Sequence, residues 1–454
     1  MSPTETASEN LTRLRSSQDR YVCRMAELCA TAHPYYRRLF RELGLAPHDF
    51  RSVEDLRRLP ILPREAYSRE PEMFQLDLRG VAGLAVEEST LADILYTTGS
   101  TSRPTAFYDT VHDRLSRVHL LKRVCEIAGI GPSDTVMNLF PLSSVPHQGF
   151  ASAMWGAMAS GARLLSGMTG RDYPGFPVHN RMDDAIDVVE RQRATVLWGI
   201  LSYVRQVLVR AQETGRDFSS VRLAMVMGEA CPRDSREDIR QRLRDLGSES
   251  PTVNSGYGFT EMEGPAVECV EMGGAHQAAP EQFYFEVVEP ESGLPLPDGE
   301  PGMLLISHLN RRGTVLLRYS MGDVVAVTHE TCPRCGRWEP RFLGTPYRID
   351  GITKVKGTLV NPAVLSEALA AVLGRGVREY QIAVVREDPA DRLSPEALLV
   401  RLACGPDGAE TLGREVVGLV RQAVEITPKV EFLPPDGLSE ILTGYKFRRF
   451  VDER

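Results

Sequence analysis

From about residue 91 to residue 260, short apolar runs alternate with stretches of helical period. TVMNLFPL, ARLLS, ATVLWGI and LAMVMG read as buried strands, and HDRLSRVHLLKRVCEIAG, RMDDAIDVVERQR and LSYVRQVLVRAQETG as the helices between them. Continuous apolar strands separated by amphipathic helices are the rhythm of a largely parallel sheet. Upstream, apolar and aromatic positions recur at helical spacing through Tyr21, Met25, Leu28, Tyr36 and Leu39, so residues 10–45 are expected to be helix, stopped at Gly44. In SVEDLRRLPILPREAY, Ser52 followed by Asp55 is an N-cap signature and Pro60 a stop.

After residue 280 the register changes. EQFYFEVVEPESGLPLPDGEPGMLLISHL alternates and is punctuated by Ser-Gly and Asp-Gly turns, which predicts β-hairpins and a barrel-like subdomain. From about residue 350 the pattern is a small α+β unit: ITKVKGTLV, a helix NPAVLSEALAAVL, strands EYQIAVVRE and EALLVRLAC, a helix LGREVVGLVRQAVE, then KVEFLP. The expected fold is therefore α/β, with a large N-terminal domain (1–349) of mainly parallel sheet plus a β subdomain (about 280–349). A small α+β C-terminal domain (350–454) follows. The polar, basic end GLSEILTGYKFRRFVDER is hard to place and must dock on something to be useful.

Composition narrows this picture. At 454 residues the chain exceeds the size at which one core keeps growing. No run reaches the roughly 18–20 apolar residues of a membrane span, and the N-terminus has no apolar signal core, so a soluble cytoplasmic protein with no membrane partner is expected. A net charge of −8 without a basic block argues against a nucleic-acid partner. The eight cysteines are scattered, which disfavours a disulfide framework. Cys23, Cys29, Cys125, Cys231, Cys269 and Cys404 are singletons, most of which read as inert core residues.

Three stretches carry candidate chemistry. Thr97-Thr98-Gly99-Ser100-Thr101-Ser102-Arg103-Pro104-Thr105 concentrates hydroxyls, one glycine and one cation, donors that can curl around an anion. It lacks the GxxxxGK[ST] pattern, and taken alone it reads more readily as a solvated loop than as a ligand site. In NSGYGFTEMEGPAVEC, Tyr257 between Gly256 and Gly258 can stack on a base, and Thr260 and Glu261 can meet a phosphate and Mg²⁺. The plain alternative is a turn leading into a helix N-terminus. In LLRYSMGDVVAV, Asp323, at the end of a strand-like run, can accept two ribose hydroxyls or simply end a turn after Gly322. Glu263, Glu268 and Glu271 read as a partly solvated helix face, and His147 as a residue near a strand-end pocket.

In this order, a hydroxyl/glycine loop, YGxTE and RYxxxD resemble the adenylate-forming enzyme superfamily, in particular its phenylacetate–CoA ligase-like branch. HPYYRRLFRELGLAPHDFRSVEDLRRLPILPREAY, the FYFEVV to RYSMGDV region, YRIDGITKVKGTLVNPAVL and KFRRFVDER extend the resemblance over most of the chain. It implies that the C-terminal domain is mobile. It implies ATP contacts at Thr97, Thr98, Gly99, Ser100, Thr101, Ser102 and Arg103, at Gly228 and Glu229 of MGEA, at Tyr257 and Gly258, and at Asp323 on the ribose. It makes Thr260 the α-phosphate contact, Glu261 the Mg²⁺ ligand, Asp350 and Lys354 the hinge, and Lys446 the adenylation lysine. Ser102 and Arg103 stand where relatives commonly carry glycine and lysine, and Gly351 where a second Asp is common.

The implied activity is an ATP-dependent acid ligase that forms an acyl-adenylate from an aryl or aryl-alkyl carboxylate and transfers the acyl group to CoA. Charge collects on phosphate oxygens during adenylation, so preorganised cations and donors carry most of the catalysis. An amine or carrier-protein thiol as acceptor, or nitrite in place of the acid, keeps the same first step. A zinc-stabilised scaffold without adenylation is the rival from another class. A homodimer is compatible with all of these. The CPRCGR turn places Cys332 and Cys335 as half a zinc site, and ECVEMGGAH supplies Cys269 and His276. With four protein ligands such a zinc would be structural, as it looks in some members of the branch.

Overall fold

The computed structural model describes residues 7–97, 104–142, 148–170, 179–348, 353–355, 358–373, 375–387, 394–405, 409–438 and 449–454. The α/β class expected from the pattern is found. The chain divides into two compact units. The first comprises Met1–Asn138, Ser143–Leu164 and Asn254–Pro346; the second comprises Leu139–Leu142, Leu165–Val253 and Tyr347–Arg454. The expected boundary at Asp350 lies outside the described residues.

In the first unit the N-terminal stretch forms two helices, Ala7–Ala32 and Pro34–Leu43, where the spacing suggested one. Pro34 cannot donate a backbone hydrogen bond, so it starts a new helix, and His33 caps it by accepting from the Tyr36 N–H. Gly44, at φ 66°, closes that helix in the left-handed conformation. Ser52 and Asp55 form the expected cap, on a short 3₁₀ helix Val53–Arg58. These elements bury Tyr36, Phe40, Phe50, Val53 and Leu56 against Leu309, Val315 and Leu317.

Strands follow the order Phe283–Val288, Gly302–His308, Tyr319–Thr328, Arg341–Arg348, Ala275–His276, Ala266–Glu268, Thr252–Tyr257. Phe283–Val288 and Gly302–His308 form the hairpin that the alternation predicts, antiparallel with Phe283 opposite His308. Leu62–Pro63 pairs in parallel with Tyr319 and Ser320. A separate hairpin joins Leu91–Tyr96 to Ala106–Thr110.

In the second unit, Val196–Ile200 and Leu223–Met227 pair in parallel and are buried along their whole length, as continuous apolar runs require. Helices Met182–Arg191 and Leu201–Glu213 flank these strands in the chain. Gly199 has no room for a side chain: a Cβ there would lie 2.9 Å from Leu139. The C-terminal segment builds its own core from Val355, Leu365, Leu369, Ile382, Leu398, Val400, Val416 and Val420. Its sheet runs in the order Lys429–Leu433, Glu396–Cys404, Val377–Arg386, Phe450–Asp452. The last of these docks the tail, in parallel, with Phe450 beside Ile382.

Candidate functional site

The turn after strand Thr252–Tyr257 gathers several of the predicted residues. Gly258 lets the chain pass Pro265 closely; a Cβ would sit 3.1 Å from its Cα. Thr260–Met262 is a single 3₁₀ turn, so Thr260 and Glu261 do not begin a longer helix. Both side chains are buried.

Glu261 is held by two contacts of different kinds. Its Oε1 accepts from the Tyr319 hydroxyl at 2.8 Å. Its carbonyl faces His308 Nε2 at 2.8 Å, while His308 Nδ1 accepts from the Leu316 N–H at 3.1 Å. That pairing makes Nε2 the protonated nitrogen, and burial holds the ring neutral, with its pKa pushed down to about 4. Its Oε2 is buried with no hydrogen-bond partner among the described residues. Burial raises the Glu261 carboxyl above its ordinary range, opposed by the Tyr319 hydrogen bond and the charge of Arg64 and reinforced by Asp323.

Tyr257 donates its hydroxyl to Asp323 Oδ2 at 2.7 Å and sets its ring edge-to-face with Phe342 at 5.3 Å. Asp323 lies inside strand Tyr319–Thr328, not at its end as the sequence suggested, because Gly322 absorbs the irregularity at φ 81°. Thr97 and Thr105 close the base of the hydroxyl loop. The Thr97 N–H donates to the Thr105 carbonyl at 3.1 Å, and the Thr105 N–H donates to the Thr97 hydroxyl at 3.0 Å. Thr98, Gly99, Ser100, Thr101, Ser102 and Arg103 lie outside the described residues, as do His147, Asp350 and Lys446. Lys354 is placed only by its backbone, in strand Thr353–Val355.

In the second unit, Gly228 leaves strand Leu223–Met227 at φ 85°, which favours glycine. Glu229 accepts from the Ser202 hydroxyl at 2.8 Å and the Ser202 N–H at 3.1 Å, so its carboxylate caps helix Leu201–Glu213. Burial raises its pKa, and the nearby Arg449 guanidinium opposes that shift. Arg449 forms a two-pronged pair with Glu379, 3.0 Å at each nitrogen, over the ring of Tyr380.

The supposed glutamate face is not a helix. Glu263 and Glu268 are buried: Glu263 joins Arg311, and Glu268 accepts from the Ser255 N–H at 2.7 Å. A glutamate beside an exposed-looking EMEG segment carries no sign of burial; only its distant partner does.

Cys269, His276, Cys332 and Cys335 converge as expected, with their ligand atoms all within 4.8 Å of one another. Cys332 and Cys335 form a tight turn with Gly336 at φ 73°, where the Gly336 N–H donates to the Cys332 carbonyl at 2.9 Å. Burial pushes the His276 pKa down to about 4, which keeps a ring lone pair free.

Residues 48–311 match the family described as AMP-binding enzyme. The chain belongs to that family. It is 28% identical to the phenylacetate-coenzyme A ligase of Thermus thermophilus over 460 residues, covering 97% of both chains. It is 26% identical to the enzyme of the same name from Escherichia coli, over 87% of this chain and 84% of that one. Among solved structures, a 2-hydroxyisobutyryl-CoA ligase in its postadenylation state matches with a TM-score of 0.77 at 22% identity, over 100% of this chain and 94% of that one. This AMP-binding chain has no helix, among the described residues, long and apolar enough to cross a membrane.

Proposed function

We propose that this AMP-binding enzyme is an acid–CoA ligase that activates a carboxylate, an aryl or aryl-alkyl acid, as its acyl-adenylate and then transfers the acyl group to CoA. The observation that carries this reading is the Glu261 carboxylate. One oxygen is fixed by Tyr319 and the other is buried and, among the described residues, without a hydrogen-bond partner, beside the Tyr257–Asp323 pair. Tyr257 offers its ring to adenine, and the hydroxyl bond to Asp323 fixes ring and carboxylate relative to each other. Asp323 accepts ribose hydroxyls, and Thr260 faces the α-phosphate. The hydroxyl loop, clamped at its base by Thr97 and Thr105, holds the β- and γ-phosphates. The free Glu261 Oε2 suits Mg²⁺, a hard cation satisfied by one or two carboxylates plus phosphate oxygens. When bound, Mg²⁺ neutralises charge that develops on the phosphates. The acid oxygen attacks the α-phosphorus, pyrophosphate leaves, and Lys446 stabilises the crowded negative charge. The CoA thiol then attacks the acyl carbonyl and AMP departs. The activity for which both phenylacetate-coenzyme A ligase relatives are named supports CoA as acceptor.

The four-residue cluster fits a structural zinc. A tetrahedral ion with Zn–S of about 2.3 Å and Zn–N of about 2.0 Å requires S···S and S···N edges of roughly 3.8 and 3.5 Å. Cys269 and Cys332 sulfurs lie 3.8 Å apart, and Cys335 sulfur lies 3.5 Å from His276 Nε2. Chelator-washed protein should retain about one zinc per chain, and Cys332→Ser should lose it; less than half an equivalent in the parent protein counts against the site.

Acid-dependent ATP–pyrophosphate exchange, run over aryl acids, fatty acids and nitrite and then with CoA or amines, tests the main reading. Exchange followed by thioester formation with an aryl acid is expected. Exchange without CoA turnover points to an amine or carrier-protein acceptor, and silence across the panel to a scaffold. Lys446→Ala should abolish exchange while leaving the fold intact.

A further inference from the structure

Behind the Glu261 turn lies a cluster of charges that the reaction does not touch. Asp109, Asp113, Arg117, Glu263 and Arg311 are all buried, at 1% exposure or less. Arg311 is the hub. Its Nε donates to the Thr314 carbonyl at 2.8 Å, and its Nη2 donates to the Tyr108 carbonyl at 2.7 Å and to Asp109 Oδ1 at 2.8 Å. Its Nη1 pairs with Glu263, and its guanidinium stacks on Phe107 at 4.2 Å. Arg117 adds a second cation on Asp109, with Nη2 3.0 Å from Oδ1. Asp113 gathers backbone donors instead: the N–H groups of Thr110 at 2.9 Å, Arg312 at 2.8 Å and Gly313 at 2.7 Å. Gly313 passes so close that a Cβ would lie 2.1 Å from the Tyr108 carbonyl.

These bonds join two segments that ATP must meet together. One is strand Ala106–Thr110, which begins directly after the hydroxyl loop and is anchored by Tyr67, whose hydroxyl donates to the Ala106 carbonyl at 2.6 Å. The other is the Thr260–Met262 turn, whose last backbone bond is from the Glu263 N–H to the Thr260 carbonyl at 3.1 Å. Glu263 itself sits at φ 63°, ψ −21°, a left-handed conformation that glutamate seldom adopts. The buried pair with Arg311 holds it there, two residues beyond Glu261.

We propose that Arg311 and Glu263 are positioning residues for the adenylation step: the buried pair sets the distance and orientation between the Glu261 carboxylate and the strand that carries the phosphate loop. This rests on the ligase reading above. Neither side chain touches substrate. Their effect is expected to appear in how tightly MgATP is held and not in how the acid is bound, because a misplaced carboxylate and loop weaken the shared contact with the triphosphate.

The test measures pyrophosphate exchange in Glu263→Gln and Glu263→Asn against Mg²⁺, ATP and acid concentration, alongside thermal melting. Asparagine tolerates the left-handed conformation, so Glu263→Asn keeps the turn and removes the charge. Both variants should raise the half-saturating MgATP concentration about tenfold or more while the KM for the acid stays within about twofold. A lower kcat with an unchanged MgATP requirement would mean a purely structural cluster and overturn the proposal. If Glu263→Gln does not fold, Glu263→Asn alone decides it. If neither folds, Arg311→Lys, which keeps the buried charge, is put through the same titration with the same deciding outcomes. A parent protein with no acid-dependent exchange defeats the ligase reading itself, a result distinct from variants that behave like the parent.

Discussion

Two charge clusters in this chain, one buried and one partly exposed, are built from the same residue types but join different things. Around Arg311, the partners come from residues 107–117, 263 and 314, all in the first unit. Around Arg449, the links run between chain segments far apart within the second unit. Arg449 pairs with Glu379 and lies near Glu229, while Arg205 donates to the Arg378 carbonyl and to Asp238 at 2.7 Å. Arg378 in turn meets Glu213 at 3.3 Å. The first cluster therefore braces neighbouring loops against one another. The second ties helix Leu201–Glu213 and the strand end at Glu229 to the C-terminal strand Val377–Arg386 and to the tail that follows Lys446. A buried ion pair adds little net stability over an apolar contact, but breaking it by removing one partner is costly. The same chemistry can thus hold a frame rigidly or define one docking position of a segment.

The largest expected effect tests the rigid frame. Arg311→Ala leaves Arg117 as the remaining cation of Asp109 and Glu263, 3.6 Å from the latter, and strips both carboxylates of their Arg311 bonds; it should destabilise the protein by about 3–5 kcal/mol, read from urea unfolding. A loss below about 1 kcal/mol would mean that the cluster relaxes around the gap.

Next comes the docking cluster. Arg449→Gln should slow adenylation by roughly ten- to a hundredfold, about 1.4–2.7 kcal/mol, because it loosens the tail beside Lys446. Thioester formation from preformed acyl-adenylate should change much less. Equal losses in both half-reactions would show that the two clusters do not differ in the way argued.

A smaller effect is expected at the carboxylate that the frame presents. Tyr319→Phe removes one hydrogen bond to the Glu261 carboxylate and should weaken Mg²⁺ by at most about tenfold, about 1.4 kcal/mol. Titration of exchange activity against Mg²⁺ checks it.

The smallest effect concerns pH. Burial raises the Glu261 pKa, so its carboxylate takes up a proton at higher pH than an ordinary glutamate. The Mg²⁺ requirement should therefore rise as pH falls toward that raised value, starting above the usual carboxylate range. In Tyr319→Phe, which lacks the bond that lowers the pKa, the rise should begin at higher pH still. A Mg²⁺ requirement that stays flat until the ordinary glutamate range would contradict the burial argument.

Much of this molecule is legible in its sequence. The apolar runs at Val196–Ile200 and Leu223–Met227 are strands because five residues are too few for a helix of ordinary length yet suffice for a strand buried on both faces between helices. The alternation at Phe283–Val288 and Gly302–His308 is a hairpin for the reason the pattern suggests. The cysteine–histidine spacing also found its cluster. Local signals failed where a single residue overrode the pattern, as Pro34 did by dividing the N-terminal helix.

The class of fold, the order of strands and helices in the chain and the meeting of Cys269, His276, Cys332 and Cys335 are thus readable from the sequence alone. The first two are local properties, set by side-chain period, by the missing donor of proline and by the freedom of glycine. Only the tertiary structure decided what each acidic residue does. Glu229 became a helix cap, Glu261 a half-satisfied buried carboxylate, and Glu263 a brace. The reason is that a carboxylate's role depends on its solvation and its partners, and the partners of Glu263 and Glu261 lie 48 and 58 residues away along the chain.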